Sequence, residues 1–174
     1  MCQEETVGPL QESVGYALKQ AAAALRTAMD AALRPLGLTV PQYACLEVLG
    51  QRPGLSNAEL ARSVFVTRQS MSGVLRGMQA RGLVTRPVVA PQGRALPTQL
   101  TPAGRKRLRV ASTAIRAVEL HMLTHLAPNA QRRLRDDLAS CAAALAAYNA
   151  SDVYDPAQPS QGRPTRSEWT DADP

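Results

Sequence analysis

The sequence predicts a mainly α fold carrying one short β-ribbon, and three observations lead to it. Alanine and leucine dominate a 45% hydrophobic content in which aromatics reach only 3%, the composition of a helix former rather than of a sandwich. Apolar residues recur at three-four spacing along several long stretches, repeatedly introduced by a threonine or serine placed to cap a helix. Between Leu83 and Leu100 that period stops, and two short runs, each holding a proline, flank a turn. With 174 residues the chain can bury one sizeable core, so a single domain is expected.

Residues 1–12 read as a flexible tail. Val14, Leu18, Ala21, Leu25, Met29 and Leu33 then mark a long amphipathic helix that ends near Gly37. Thr39, Pro41 and Gln42 open the next as cap, first-turn proline and capping-box partner; it runs to about Gln51 and is broken by Pro53 and Gly54. Ser56 and Glu59 form a second capping box for a short helix from Asn57 to about Ser63. After a tight turn through Val64, Phe65 and Val66, Thr67 caps a helix reaching Arg81, with Gly82 as its left-handed terminator.

Leu83 to Val88 and Arg94 to Leu100 read as the two strands of the ribbon, turning through Val89–Gly93. Thr101 and Pro102 restart the helix, which is carried by Leu108, Ala111, Ile115, Val118 and Met122 to about Leu126. Ala127, Pro128 and Asn129 are expected to break it, and a last helix should run from about Ala130 to Tyr148. Residues 149–174, rich in proline and polar side chains, are expected to stay disordered.

Charge is unevenly placed. The formal net charge is +6, yet from Arg34 to Arg109 there are twelve basic residues and only two acids, Glu47 and Glu59. A charge run alone is usually a solvated face. Here it coincides with two short helices joined by a tight turn and followed by a ribbon, which is a winged helix-turn-helix. In the helix opened by Thr67, Met71, Val74, Leu75 and Met78 share one face, while Arg68, Gln69, Ser72, Gly73 and Arg76 share the other, which carries no acid. That polar face suits the major groove of double-stranded DNA: arginine reads guanine or phosphate, glutamine reads adenine, and Ser70 and Ser72 make adaptable contacts. Arg94, at the tip of the ribbon, suits the negative potential of a minor groove.

The segments LGLTVPQYACLEVL from Leu36, LSNAELARSVFVTRQSMSGVLRGMQARGLVTR from Leu55 to Arg86, and GRALPTQLTPAGR from Gly93 to Arg105 resemble the MarR family of bacterial transcriptional regulators. The resemblance spans roughly residues 13–148. It implies a homodimer, with residues 13–36 and 106–148 forming a helical dimerisation region and 37–105 the DNA-binding lobe. It also implies a pseudo-palindromic operator with half-sites roughly 34 Å apart, and repression relieved by a small aromatic or phenolic effector. Tyr16, Arg26, Tyr43 and His121 are the candidates for such an effector site. Two positions depart from the family pattern. Gln92-Gly93-Arg94 stands where the family carries Asp-x-Arg, and Gly73 replaces a larger polar side chain, so either the groove approach is close there or one base contact is absent.

Other chemistries find little support. Cys2, Cys45 and Cys141 are too widely spaced for a metal cluster and imply reduced thiols; a redox-sensing regulator using Cys45 or Cys141 is the alternative they leave open, as is a winged-helix interaction module that does not read DNA. His121 and His125 share a helix face but lack the glutamate of a zinc hydrolase, so no metal and no cofactor are expected. Neither a Ser-His-Asp set nor a phosphate-binding glycine loop is present, and an enzyme is not expected. The polar, acidic start of the chain is unlike a signal peptide and no segment is long and apolar enough for a membrane span, so a cytoplasmic location is expected.

Overall fold

Capping chemistry accounts for most of the observed element boundaries. The computed structural model describes residues 9–86 and 97–148. Six α-helices and one two-stranded sheet occur among them: α1 Val14–Leu33, α2 Val40–Gln51, α3 Asn57–Ser63, α4 Arg68–Ala80, β1 Val84–Thr85, β2 Gln99–Leu100, α5 Pro102–Met122 and α6 Pro128–Ala147. Thr39 and Ser56 each complete a full capping box, with Gln42 and Glu59 reaching back to the cap amide. Thr67 and Thr101 accept from the amides of Ser70 and Gly104. Gly37 and Gly82 adopt the left-handed conformation at the ends of the segments they close.

Several expectations shift. The first helix gives way at Arg34 to a 3₁₀ turn, Arg34–Leu36, so α1 itself stops with its apolar period at Leu33, short of the expected end near Gly37. The supposed tail already holds an exposed 3₁₀ turn at Leu10–Glu12, whose Leu10 carbonyl accepts from the amide of Ser13, the cap of α1. Only Val84–Thr85 and Gln99–Leu100 pair as strands, antiparallel, with Val84 opposite Leu100; the expected turn and Arg94 lie outside the described residues. Pro128 does not break a helix but starts one, two residues before the expected start, because a proline at the first helical position removes an amide that would have no partner.

The core is built around α2, α3 and α4 and closed by the sheet and by α5. Leu46, Leu49, Leu60, Met71, Leu75 and Met78 are almost completely buried together, with Leu33 from the end of α1 and Ala111 from α5. Thr98 ties the foot of the ribbon to the α2–α3 connection: its amide donates to the Leu55 carbonyl at 3.0 Å, and its own carbonyl accepts from Gly54 at 3.0 Å. Gly104 is needed where α5 starts, since a Cβ there would collide with the carbonyl of Leu83.

The chain divides into two units, Met1–His125 and Leu126–Pro174. In the second, α6 buries none of its residues. Among the described residues no helix is long and apolar enough to cross a membrane.

Candidate nucleic-acid interface

The α3–turn–α4 unit is held from within, leaving one face of α4 bare. Thr67 receives the Ser70 amide at 3.1 Å and donates its hydroxyl to Ser70 Oγ at 2.8 Å, so both serve first as the cap of α4. Asn57, at the start of α3, donates through Nδ2 to the Arg68 carbonyl at 3.2 Å and to Ser72 Oγ at 3.0 Å. Ser72 in turn donates to the Arg68 carbonyl at 3.0 Å. Its hydroxyl is therefore occupied in bracketing α3 against α4, a role that helical periodicity alone did not suggest.

Arg68, Gln69, Gly73 and Arg76 are exposed on α4, with Ser70 beside them. The guanidinium groups of Arg68 and Arg76 make no hydrogen bond or ion pair among the described residues, where the one salt bridge is Arg135–Asp136 on α6. A Cβ added at Gly73 would meet open space, so nothing in the fold requires glycine there. The helix carries its propensity cost of about 1 kcal/mol without any packing return inside the chain.

Both acids of the basic stretch are engaged in the fold. Glu59 serves its capping box, accepting from the Ser56 amide at 2.8 Å and hydroxyl at 2.6 Å, and these hydrogen bonds hold its carboxyl below the usual carboxylate range. Glu47 is bound on three sides: Tyr43 Oη donates at 3.2 Å, Ser112 Oγ at 2.9 Å and Gln51 Nε2 at 2.9 Å. Neither carboxylate neutralises α4. Some of the positive charge is structural too. Arg81 Nη1 donates to the Gly37 carbonyl at 2.7 Å, Arg107 Nη1 to the Leu36 carbonyl at 2.9 Å, Arg105 Nη1 to the Leu100 carbonyl at 3.0 Å, and Arg52 Nη2 to Ser63 Oγ at 2.9 Å. Sequence reading did not separate Arg81 and Arg107 from the arginines of the outer face, because partners 44 and 71 residues distant leave no local pattern.

The four effector candidates do not converge within the chain. Tyr16 and Arg26 are exposed on α1, whereas Tyr43 is buried in the Glu47 cluster, its phenol raised above its ordinary pKa chiefly by burial. His121 lines an apolar groove between α1 and α5, and it lies nine residues along α5 from Ser112, the neighbour of Tyr43, or about 13 Å at helical rise. A separate crevice of about 610 Å³ lies beside the Glu47 cluster, lined by Glu47, Leu108, Arg109, Ser112, Thr113 and Arg116. It joins two cations to two hydroxyls and a carboxylate in one place. Cys45 is fully buried, and burial pushes its thiol up to about 12, which leaves almost no thiolate at neutral pH; Cys141 is exposed on α6.

Comparison with known proteins fits this geometry. A family model described as MarR family matches residues 36–95. The HTH-type transcriptional repressor Rv2887 of Mycobacterium tuberculosis is 44% identical over 122 residues, covering 70% of this chain and 88% of the relative. The crystal structure of Rv2887 in complex with DNA superposes with a TM-score of 0.63 at 40% identity, covering 74% of this chain and 97% of that one. Its complex with salicylic acid gives a TM-score of 0.62 at 43% identity, covering 74% and 96%.

Proposed function

This chain belongs to the MarR family, and from that membership we propose that it is a sequence-specific, DNA-binding transcriptional repressor released by a small aromatic acid, not an enzyme. The observation that carries the reading is the outer face of α4, basic, free of acid and without internal partners, on a helix bracketed by α3 and packed on the core by its other face. Arg76 and Gln69 read base edges in the major groove; Arg68 and the capped amino end of α4, with Thr67 and Ser70, hold phosphates. Gly73 lets a base edge or sugar approach the helix backbone. Ser72 contributes by fixing the angle of α4, and Arg94 follows the adjacent minor groove. The relative crystallised with DNA supports this assignment.

A homodimer presents two such faces to a pseudo-palindrome, with residues 37–105 as the DNA lobe and 13–36 with 106–148 as the dimerisation region. Support comes from apolar surface that the single chain leaves uncovered: the α1–α5 groove containing Ala21, Ala24, Ala28, Ala117 and Val118, and the exposed Leu134, Leu138 and Leu145 of α6. The effector enters the crevice beside Glu47, where Arg109 and Arg116 pair its carboxylate and the Ser112 and Glu47 pair accepts or donates to a ring hydroxyl. Salicylic acid bound to the relative is a ligand of that chemistry. As a regulator of chromosomal DNA the protein acts in the cytoplasm.

A gel-shift titration on DNA from the gene's own upstream region, with competitor DNA and two salt concentrations, tests the reading. Wild type should give a competitor-resistant band, and Arg76→Ala should weaken it about tenfold or more while leaving the melting temperature unchanged. No band under any condition would overturn DNA binding and favour a partner-binding module.

A further inference from the structure

The turn between α3 and α4 contains the one non-glycine residue with left-handed backbone among the described residues. Phe65 has φ 58°, whereas the three other left-handed positions, at 37, 54 and 82, are all glycine. The local hydrogen bonds explain the geometry. The Val66 amide donates to the Ala61 carbonyl at 3.0 Å and the Phe65 amide to the Arg62 carbonyl at 3.3 Å, the paired bonds of a Schellman motif, which places Phe65 at the position that strongly favours glycine. A bulky side chain there is strained.

Packing does not account for the ring. Phe65 is 93% exposed, more than any other large hydrophobic side chain described, and it is the single phenylalanine of the sequence. Val64 and Val66 on either side pack against the core, so the apolar requirement of the turn is already met. The fold therefore holds an aromatic ring in water on a backbone that would be more comfortable with glycine. Such a cost, set beside a candidate interface, points to a contact made outside the chain.

The surroundings identify that contact. Phe65 lies two residues before Thr67, the cap of α4, and three residues along the chain from each of Arg62 and Arg68, both exposed and neither ion-paired among the described residues. Duplex DNA offers the complementary pattern: an apolar deoxyribose flanked on both sides by phosphates. An apolar protein surface would meet the ring but leave both guanidinium groups to be desolvated without partners.

We propose that Phe65 is a DNA-contacting residue, its ring packing on the deoxyribose wall of the groove that α4 enters while Arg62 and Arg68 take the adjacent phosphates. The inference rests on the DNA-binding reading above and adds a residue to it. The contact is neutral and made to sugar, so it strengthens binding to all duplexes alike and leaves the salt dependence untouched.

The test compares wild type, Phe65→Gly, Phe65→Asn and Phe65→Tyr by fluorescence anisotropy on the upstream fragment that wild type retards and on an unrelated duplex, at two salt concentrations, alongside thermal melts. Phe65→Gly and Phe65→Asn should lose about 5- to 20-fold in affinity for both duplexes at an unchanged salt slope. Phe65→Tyr should stay within about twofold of wild type, since it retains the ring. Phe65→Gly should melt about 2–4 °C higher, because strain is relieved and no packing is lost. Equal affinity of wild type and Phe65→Gly, a loss confined to one of the two duplexes, or a loss accompanied by a lower melting temperature overturns the assignment of Phe65 while leaving DNA binding intact. Wild type that binds no duplex overturns both.

Discussion

The lobe built from α2 to β2 and the long helices α1 and α6 spend similar apolar compositions in opposite ways. In the lobe, α2 alone buries four residues and α4 three, those of α4 on the face its spacing marks out. Over its twenty residues α1 buries only Leu33, and α6, equally long, buries none. An amphipathic stripe thus specifies that a face will be covered, and it is silent about whether the cover comes from the same chain. The lobe covers its core within the chain, while α1 and α6 leave most of their apolar side chains in contact with solvent.

The largest effect that would sharpen this contrast is expected at Gly104→Ala. The added Cβ must displace the Leu83 backbone that anchors the sheet to α5, and a loss of more than about 3 kcal/mol is expected in denaturant unfolding. Next, Leu75→Ala, in the lobe core, should lower stability by about 3 kcal/mol at every protein concentration. Leu138→Ala on α6 should instead act through subunit association, lowering the melting point of dilute samples and converging on wild type as concentration rises. Equal, concentration-independent losses for the two would erase the distinction between the regions.

A smaller effect belongs to the Ser56–Glu59 capping box. Because hydrogen bonds lower the folded-state pKa of Glu59, its contribution is present above the ordinary carboxylate range and is lost as pH falls through the lowered folded value. The melting-temperature gap between wild type and Glu59→Gln should therefore be open at pH 7 and narrow as the pH falls below the ordinary carboxylate range. The smallest perturbation separates the regions by chemistry alone. In a variant lacking Cys2, maleimide should label Cys141 under native conditions and reach Cys45 only after denaturation.

Local chemistry was the legible part of this molecule. Thr39, Ser56, Thr67 and Thr101 cap helices as their spacing announces, and the basic outer face of α4 follows from its period. What escaped sequence reading depends on partners far along the chain or on backbone conformation. Ser72 has the polar position of a groove-reading residue, yet Asn57, fifteen residues earlier, holds it. Phe65 looked like any turn residue until its left-handed φ set it apart. Pro128 carries the same letter whether it ends one helix or begins another, and the amide it lacks decides between them. The crevice beside Glu47 likewise arises from α2 and α5 meeting across 65 residues, which no local pattern announces.

Arg81 and Arg107 grip two consecutive peptide units, the carbonyls of Gly37 and Leu36. The carboxyl end of α4 and the first half of α5 are thereby surveyed from one benchmark, the joint between α1 and α2. A strain entering through α5 is delivered to the same two peptides that register α4. Because both grips close on one joint, α4 and the first half of α5 cannot change their relative angle without breaking a hydrogen bond at Gly37 or Leu36.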